Sequence, residues 1–245
     1  SRWPQTFFEN LTIWDSGRRI LVLAGELGPT VWDFSLQGWG LQAETLLTLA
    51  DFDWPISGPW TVKVRGRGSL KEPEVQAEIM GGPGRIGPLP YDRLEAQAHW
   101  VGEWVDVRGL RLYRRKGYLL TGEGRFPVRK GTDVAEVGVS ETDMNLHLTE
   151  GNLAVLKDVW PLCRSARGSF SGDVRVKPGK TSPQVTGSFS LRDGRMDLQS
   201  YAPRVRELNA EVTFQNDRAR VEHARARVGA GWIEMAGDIG IHGLS

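Results

Sequence analysis

Cysteine is almost missing from this 245-residue chain. The single Cys163 permits no internal disulfide and no cysteine-based metal cluster. It leaves the compartment open, because a periplasmic protein need not carry disulfides. Long hydrophobic runs are missing as well. The longest, residues 20–24, is far short of the roughly 20 apolar residues a membrane-spanning helix needs. Neither a signal peptide nor a transmembrane helix is visible. Net charge is nearly nil: 31 Lys and Arg against 30 Asp and Glu leave +1, which gives no bulk attraction to nucleic acid. Ser1 stands where an initiator Met is expected, and the chain closes abruptly at Ser245. It reads as an excised piece of a longer protein, so absent targeting signals say nothing about the parent.

Catalytic and ligand-binding motifs fail one by one. Gly179-Lys180-Thr181 imitates the end of a phosphate loop, but Val174 stands where the first Gly is required. Gly168-Ser169-Phe170-Ser171-Gly172 imitates a nucleophile elbow with Phe170 at its centre, so no serine occupies the nucleophile position. His99, His147, His223 and His242 are scattered, with no pair at ligand spacing. Asp51 and Asp53 have no accompanying base. Asn10-Leu11-Thr12 matches a glycosylation acceptor without a context that gives it meaning. No catalytic residue, metal or cofactor is expected.

What is present is alternation. Hydrophobic residues make up 40% and charged residues 25%, which argues against disorder. The length suffices for one large all-β unit or two ordinary domains. In residues 205–241, Leu208, Ala210, Val212 and Phe214 alternate with Asn209, Glu211, Thr213 and Gln215. After Asn216-Asp217 the pattern resumes through Val221, Ala224 and Ala226 against Arg220, Arg225 and Arg227. It resumes again after Gly229-Ala230-Gly231 with Ile233, Met235, Ile239 and Ile241. Successive side chains of a strand point to opposite faces, so this is a run of strands with one apolar and one charged face.

The same reading applies upstream. Trp60, Val62 and Val64 form one set, and Val75, Ala77 and Ile79 another. Leu94, Ala96, Ala98 and Trp100 follow, then Val105 and Val107, and Leu110 and Leu112. Beyond these come Met144, Leu146 and Leu148, then Phe170, Val174 and Val176, and Val185, Phe189 and Leu191. Asp193-Gly194 between alternating segments predicts a hairpin turn. Two stretches carry helical spacing: residues 41–52, closed by Trp54-Pro55, and residues 152–160, with Asn152 as N-cap and Pro161 as stop. Residues 129–143 are polar and poorly patterned and are expected to form a mobile loop.

The two halves are related. Trp54-Pro55 recurs as Trp160-Pro161, Pro73 as Pro183, and Leu94, Ala96, Val107 and Gly117 as Leu208, Ala210, Val221 and Gly231. A unit of a short helix followed by strands is repeated, which divides the chain into the end of a preceding unit (1–37), a first unit (38–150) and a second (151–245). Such repetition argues for a stacked array rather than a closed globule.

The order of these elements resembles the TamB family, within the wider group of AsmA-like, bridge-type lipid transfer proteins. In 152–240 the resemblance rests on Asn152-Leu153 leading a helix to Pro161, then Gly168-Ser169-Phe170 and Pro183-Gln184-Val185-Thr186-Gly187. It continues with Leu191-Arg192-Asp193-Gly194-Arg195 and Val205-Arg206-Glu207-Leu208-Asn209-Ala210, and closes with the glycines of 229–237. Residues 54–124 run through a weaker version with Pro73, Gly84, Tyr91-Asp92-Arg93-Leu94 and the glycines of 117–124.

The resemblance implies a long curved antiparallel sheet folded into a trough, a β-taco, with an apolar interior and short helices at the repeat junctions. It implies a periplasmic location with the parent anchored in the inner membrane. It also implies a non-enzymatic conduit that carries phospholipid acyl chains between the inner and outer membranes and serves outer-membrane biogenesis, with an outer-membrane barrel protein of the Omp85 type as a possible partner. No anchor helix and no segment for docking a barrel can be placed on this sequence. The residues expected to line the groove are Leu94, Ala96, Val107, Leu110, Leu112, Phe189, Leu191, Leu208, Val212, Phe214, Val221, Ile233, Met235 and Ile239.

Physics suits that role, since each methylene of an acyl chain costs about 0.8 kcal/mol to expose to water. The competing expectation is a β-sandwich or β-helix adhesin that binds carbohydrate through some of the ten Trp residues. A membrane barrel needs strands of roughly 9–11 residues, and most strands here are expected to be shorter. The arginines Arg204, Arg206, Arg218, Arg220, Arg225 and Arg227 interleave with Glu207, Glu211 and Glu222, which reads as a solvated outer face.

Overall fold

The computed structural model describes residues 6–28, 31–49, 55–69, 72–128, 141–179, 184–199, 204–216 and 218–240. Fourteen strands form one antiparallel sheet in which each strand pairs with its predecessor in the sheet order. They are β1 (Thr6–Asp15), β2 (Arg18–Leu27), β3 (Trp32–Gln42), β5 (Pro59–Gly68), β6 (Pro73–Gly81) and β9 (Arg93–Val101) in the first half. The second half holds β10 (Trp104–Arg114), β11 (Tyr118–Pro127), β12 (Asp143–Asn152), β13 (Cys163–Lys177), β14 (Gln184–Leu198), β15 (Val205–Gln215), β16 (Arg218–Val228) and β17 (Gly231–Gly240). The sheet is open, with β1 at one edge and β17 at the other. A small sheet of β4 (Ile56–Ser57), β7 (Gly84–Ile86) and β8 (Leu89–Tyr91) accompanies it. The fold is thus all-β, a long unclosed antiparallel sheet with few short helices.

The described helices lie at two junctions. The first stretch at helical spacing is shorter than expected: β3 runs on to Gln42, and α1 spans Ala43–Leu49. At the second junction a 3-10 turn (Leu153–Val155) leads into α2 (Leu156–Val159). Asn152 caps it as expected, its side-chain oxygen accepting from the Ala154 N–H at 2.9 Å. These junctions follow the third and the ninth strand in sheet order, so both lie at the same end of an alternating sheet. Leu94 on β9 and Leu208 on β15 are likewise six places apart in that order, as are Val107 on β10 and Val221 on β16. The expected loop at 129–143 falls mostly outside the described residues, and Asp143 already opens β12.

Two expectations are corrected. Asp193-Gly194 is not a hairpin turn but lies inside the fifteen-residue β14. The strands of the large sheet are also longer than expected, from nine residues in β6 to fifteen in β13. Strand length therefore does not argue against a barrel; the unclosed strand order does.

Both corrections have one cause. Turn-type residues serve as β-bulges that let a strand continue past an extra residue. Left-handed residues sit at register shifts in five strands: Gly40 (φ 63°) in β3, Gly109 (φ 62°) in β10, Glu150 (φ 53°) in β12, Asp193 (φ 52°) in β14 and Glu207 (φ 52°) in β15. Two of these bulges are tied together by Asn209. Its side-chain oxygen accepts from the Asp193 N–H and its amide donates to the Glu207 carbonyl, each at 3.0 Å.

The core lies along the helix-bearing end of the apolar face. Tyr91, Leu94, Leu112, Tyr118 and Val155 bury one another, with Ile86, Leu120, Leu148 and Phe170 packed around them. Trp60, Val62 and Ala43 form a second cluster under Leu46 and Leu47 of α1, and Leu153, Cys163 and Ala166 a third. Tyr91, only 1% exposed, joins the small sheet to the large one. Its hydroxyl donates to the Ser57 carbonyl at 2.7 Å and accepts from Trp60 Nε1 at 3.2 Å. The Tyr118 hydroxyl donates to the Pro90 carbonyl at 2.9 Å.

Gly109 has open space where a Cβ would project, so its substitution isolates the backbone requirement. Gly109→Val is expected to cost about 1–2 kcal/mol in denaturant unfolding and Gly109→Asn less, because Asn visits the left-handed region more readily. Equal midpoints for both variants and the parent would refute the bulge. Burial pushes the hydroxyls of Tyr91 and Tyr118 above the ordinary tyrosine value of 10.0. The folded chain then holds these protons more tightly than the unfolded one. Their contribution is intact below pH 10.0 and is lost as pH rises through the folded-state values. Unfolding free energy should fall as pH climbs past about 10, and Tyr118→Phe should flatten that slope; an unchanged slope would count against the cluster.

Candidate functional site

The strand register builds a continuous apolar surface. One transverse row begins with Ile13, Leu21, Gly38, Val62, Ile79 and Ala96 on successive strands. Beyond the β10 bulge it continues as Leu110, Gly122, Leu146, Val174, Gly187, Phe214, Ala219 and Ile239. A second row runs Leu94, Leu112, Leu120, Leu148, Gly172, Phe189, Val212, Val221 and Gly237. Val107 belongs to a third, between Ala98 and Gly124. Leu191 stands opposite Ala210, which leads through Ala224 to Met235. Leu208 stands opposite Gly194, and Ile233 opposite Ala226. All fourteen residues singled out in the sequence therefore share one face of one sheet.

That face is not uniform. Leu94 and Leu112 are 5% and 3% exposed beneath Tyr91, Tyr118 and Val155, so they belong to a covered core and not to a free surface. The covering elements are the small sheet and the two helical junctions. Ala96, Val107, Leu110, Phe189, Leu191, Leu208, Val212, Phe214 and Val221 are half-buried. Towards the β17 edge the surface opens: Ile233 is 46% exposed, Met235 59% and Ile239 56%. Neighbouring side chains fill the notches left by glycine. A Cβ on Gly122 would meet Leu146 and Leu110, and one on Gly172 would meet the Phe189 ring. The Phe170 and Phe189 rings lie 5.7 Å apart between centroids. The same register adds Leu146, Val174, Val176 and Val185 to the open face. Their alternation was visible in the sequence, but nothing there distinguished covered from uncovered members.

The opposite face is charged and solvated. Cross-strand pairs include Lys63–Glu78, Arg67–Asp33, Arg225–Glu234 and the contact of His147 with Asp173. Exposed pairs of this kind contribute about 0–1 kcal/mol each and mainly define an outer surface. This face is not flat: a concavity of ≈ 500 Å³ opens over Lys63, Arg65, Gln76, Glu78, His99 and Arg108.

Most of the described tryptophans are engaged in the fold, whereas Trp14 on the edge strand β1 is 62% exposed. Trp60 is buried, and Trp100 Nε1 donates to the Gly102 carbonyl at 2.8 Å. Guanidinium carbons stack over Trp104 at 4.1 Å (Arg125), Trp232 at 4.0 Å (Arg225) and Trp39 at 5.0 Å (Arg19). Trp160 caps α2, while Trp54 lies outside the described residues.

Among the described residues no group of three His, Cys, Asp or Glu side chains could hold a metal. No helix among them is long and apolar enough to cross a membrane. Cys163 is buried, and its thiol is pushed up by desolvation and by the nearby Asp197 charge, away from the thiolate form a nucleophile requires.

The division into covered and open parts is measurable. Leu112→Ala is expected to destabilise by about 2–5 kcal/mol, as cavity-forming core truncations do. Met235→Ala, on the same face, is expected to stay within about 0.5 kcal/mol. Similar losses at the two positions in chemical denaturation would refute the division.

No protein-family model matches the chain. No similar curated protein and no similar solved structure was found.

Proposed function

We propose that the uncovered apolar face binds hydrocarbon, as a segment of a TamB-like trough that carries phospholipid acyl chains through the periplasm between the inner and outer membranes. The observation that carries this reading is the row from Ile13 to Ile239, one apolar or glycine position on every strand of an open sheet, carried across the β10 bulge and covered by α1 at Val62. Strands about 4.8 Å apart place these positions at intervals a flexible chain can bridge. A tail lying across the strands meets Leu, Val, Phe, Met and Ile without a polar group to fix it at one point. Sliding along such a surface exchanges one apolar contact for another at little cost, whereas leaving it exposes each methylene to water at about 0.8 kcal/mol. No bond is made or broken, so the role needs no catalytic group.

The charged outer face supports the reading by keeping the apolar rows to one side of the sheet. The covered end, with Tyr91 and the helical junctions, supplies a rigid margin. Most of the remaining surface stays half-buried or exposed, as an acyl-chain surface must be, with the small side chains of Ala219, Ala224 and Ala226 buried within it. In a β-sandwich an opposing sheet would cover all of it. The carbohydrate-binding alternative has less support, because arginine already stacks on Trp39, Trp104 and Trp232 and leaves Trp14, alone on β1, as the most exposed indole among the described residues. Contact with an Omp85-type barrel remains an expectation drawn from the family resemblance.

Photo-reactive side chains at Val212, Phe214 and Ile233 are expected to capture phospholipid when the chain is expressed in a Gram-negative periplasm. The same probes at Asn209 and Glu211 are expected to capture none. Equal labelling of the two sets, or no lipid at either, would refute the proposal.

A further inference from the structure

The outer face carries a second feature that lipid tails do not use. Almost everywhere on it, a cation faces a carboxylate or a neutral residue across the strands. Arg125 stands between Asp106 and Asp143, Arg225 between Asn209 and Glu234, and Lys63 between Gln37 and Glu78. Among the described residues two cross-strand pairs break this rule: Arg167 faces Arg195, and Arg206 faces Arg227. The pairing of Met196 with Val205 brings Arg195 alongside Arg206, so four consecutive strands, β13 to β16, each contribute an arginine to one transverse row. Like charges set directly opposite destabilise a sheet.

Local carboxylates relieve only the Arg227 end of the row. Asp197 is engaged by Arg204 at 3.3 Å and by the Ser165 hydroxyl at 3.0 Å. Glu207 pairs with Arg227 at 3.7 Å. Arg167, Arg195 and Arg206 have no ion pair among the described residues, and all three are exposed. They do not stand on a flat surface. With Ser165, Asp197, Arg204, Val205 and Glu207 they line a concavity of ≈ 500 Å³. Three guanidinium groups without ion pairs line this hollow, beside Asp197 and Glu207 that are engaged by Arg204 and Arg227, and suit an oxyanion that offers several acceptors.

We infer that this hollow binds a phosphate-bearing anion, held by Arg167, Arg195 and Arg206. The row spans β13 to β15, about 10 Å at ordinary strand spacing, which suits a ligand with more than one phosphate group or adjacent lipid headgroups. The site lies on the face opposite the apolar rows and does not depend on their function. Binding supplies counter-charge to the three arginines that Asp197 and Glu207, paired with Arg204 and Arg227, leave without an ion pair, so ligand-free repulsion and ligand affinity have a common origin.

The test titrates the whole chain with inorganic phosphate, with tripolyphosphate, and with phosphatidylcholine vesicles with or without phosphatidylglycerol. The readout is affinity together with the thermal midpoint. Binding of tripolyphosphate or phosphate identifies a soluble ligand, and binding confined to phosphatidylglycerol vesicles identifies a headgroup; either supports the site. Each of Arg167→Gln, Arg195→Gln and Arg206→Gln is expected to weaken binding about tenfold. Each is expected to raise the ligand-free midpoint, because it removes repulsion. Arg175→Gln and Arg218→Gln, on the same face with neutral neighbours, serve as controls and are expected to leave affinity unchanged. Three results overturn the inference: no binding to any probe, affinity retained in the triple variant, or equal weakening by the controls.

Discussion

Everything in this molecule depends on keeping one side-chain phase across fourteen strands. A strand that slips by one residue turns its apolar set into water and its charged set into the core. The sequence contains several such slips. Val107 is followed by Leu110, Leu148 by Gly151, and Val221 by Ala224, each three apart where strict alternation needs an even step. At every one of these points the register shifts as well. The bulge absorbs the odd residue, and the apolar side chains return to the same face. Five of the bulges hold a left-handed residue, Gly40, Gly109, Glu150, Asp193 or Glu207, whereas the one between Val221 and Ala224 has none. Asn209 braces two of the five.

Holding that phase separates the two faces chemically. One carries paired charges with solvated side chains; the other carries rows of Leu, Val, Ile, Phe and Ala. An open sheet with one apolar face is unstable in water unless part of that face is covered. The small sheet and the two helical junctions do this along one end, with Tyr91 as the point where cover and sheet meet. The uncovered remainder is stabilised sideways, by large residues leaning over glycines of the next strand, as Leu146 does over Gly122. Stability and an open apolar surface therefore coexist because they occupy different parts of the same face.

The two faces also differ in what they leave unsatisfied. The apolar rows end in exposed Ile233, Met235 and Ile239 near the β17 edge. The charged face leaves three arginines of one row, on β13 to β15, without an ion pair among the described residues. Each is a local departure from the rule that governs the rest of its face, and such departures are where binding energy is available.

The all-β class, the existence of nearly every strand and the membership of the apolar face were legible in the amino-acid order, because a period of two is a local property of a strand. The Asn152 cap and the two helical junctions were legible for the same reason. Where Asp193-Gly194 was read as a turn, local chemistry was ambiguous: the residues that reverse a chain also accommodate a bulge, and only pairing with β13 and β15 decides which. Strand length was underestimated for that reason too. Pattern alone assigned Leu112 and Met235 to one face, and could not know that Tyr91, distant in sequence, closes over the first and leaves the second bare. Likewise, the arginines looked balanced along the chain, where Glu207 and Glu222 lie nearby. Across the strands Arg167 meets Arg195 and Arg206 meets Arg227. Alternation is written residue by residue, whereas cover, register and cross-strand charge arise only when distant strands are brought side by side.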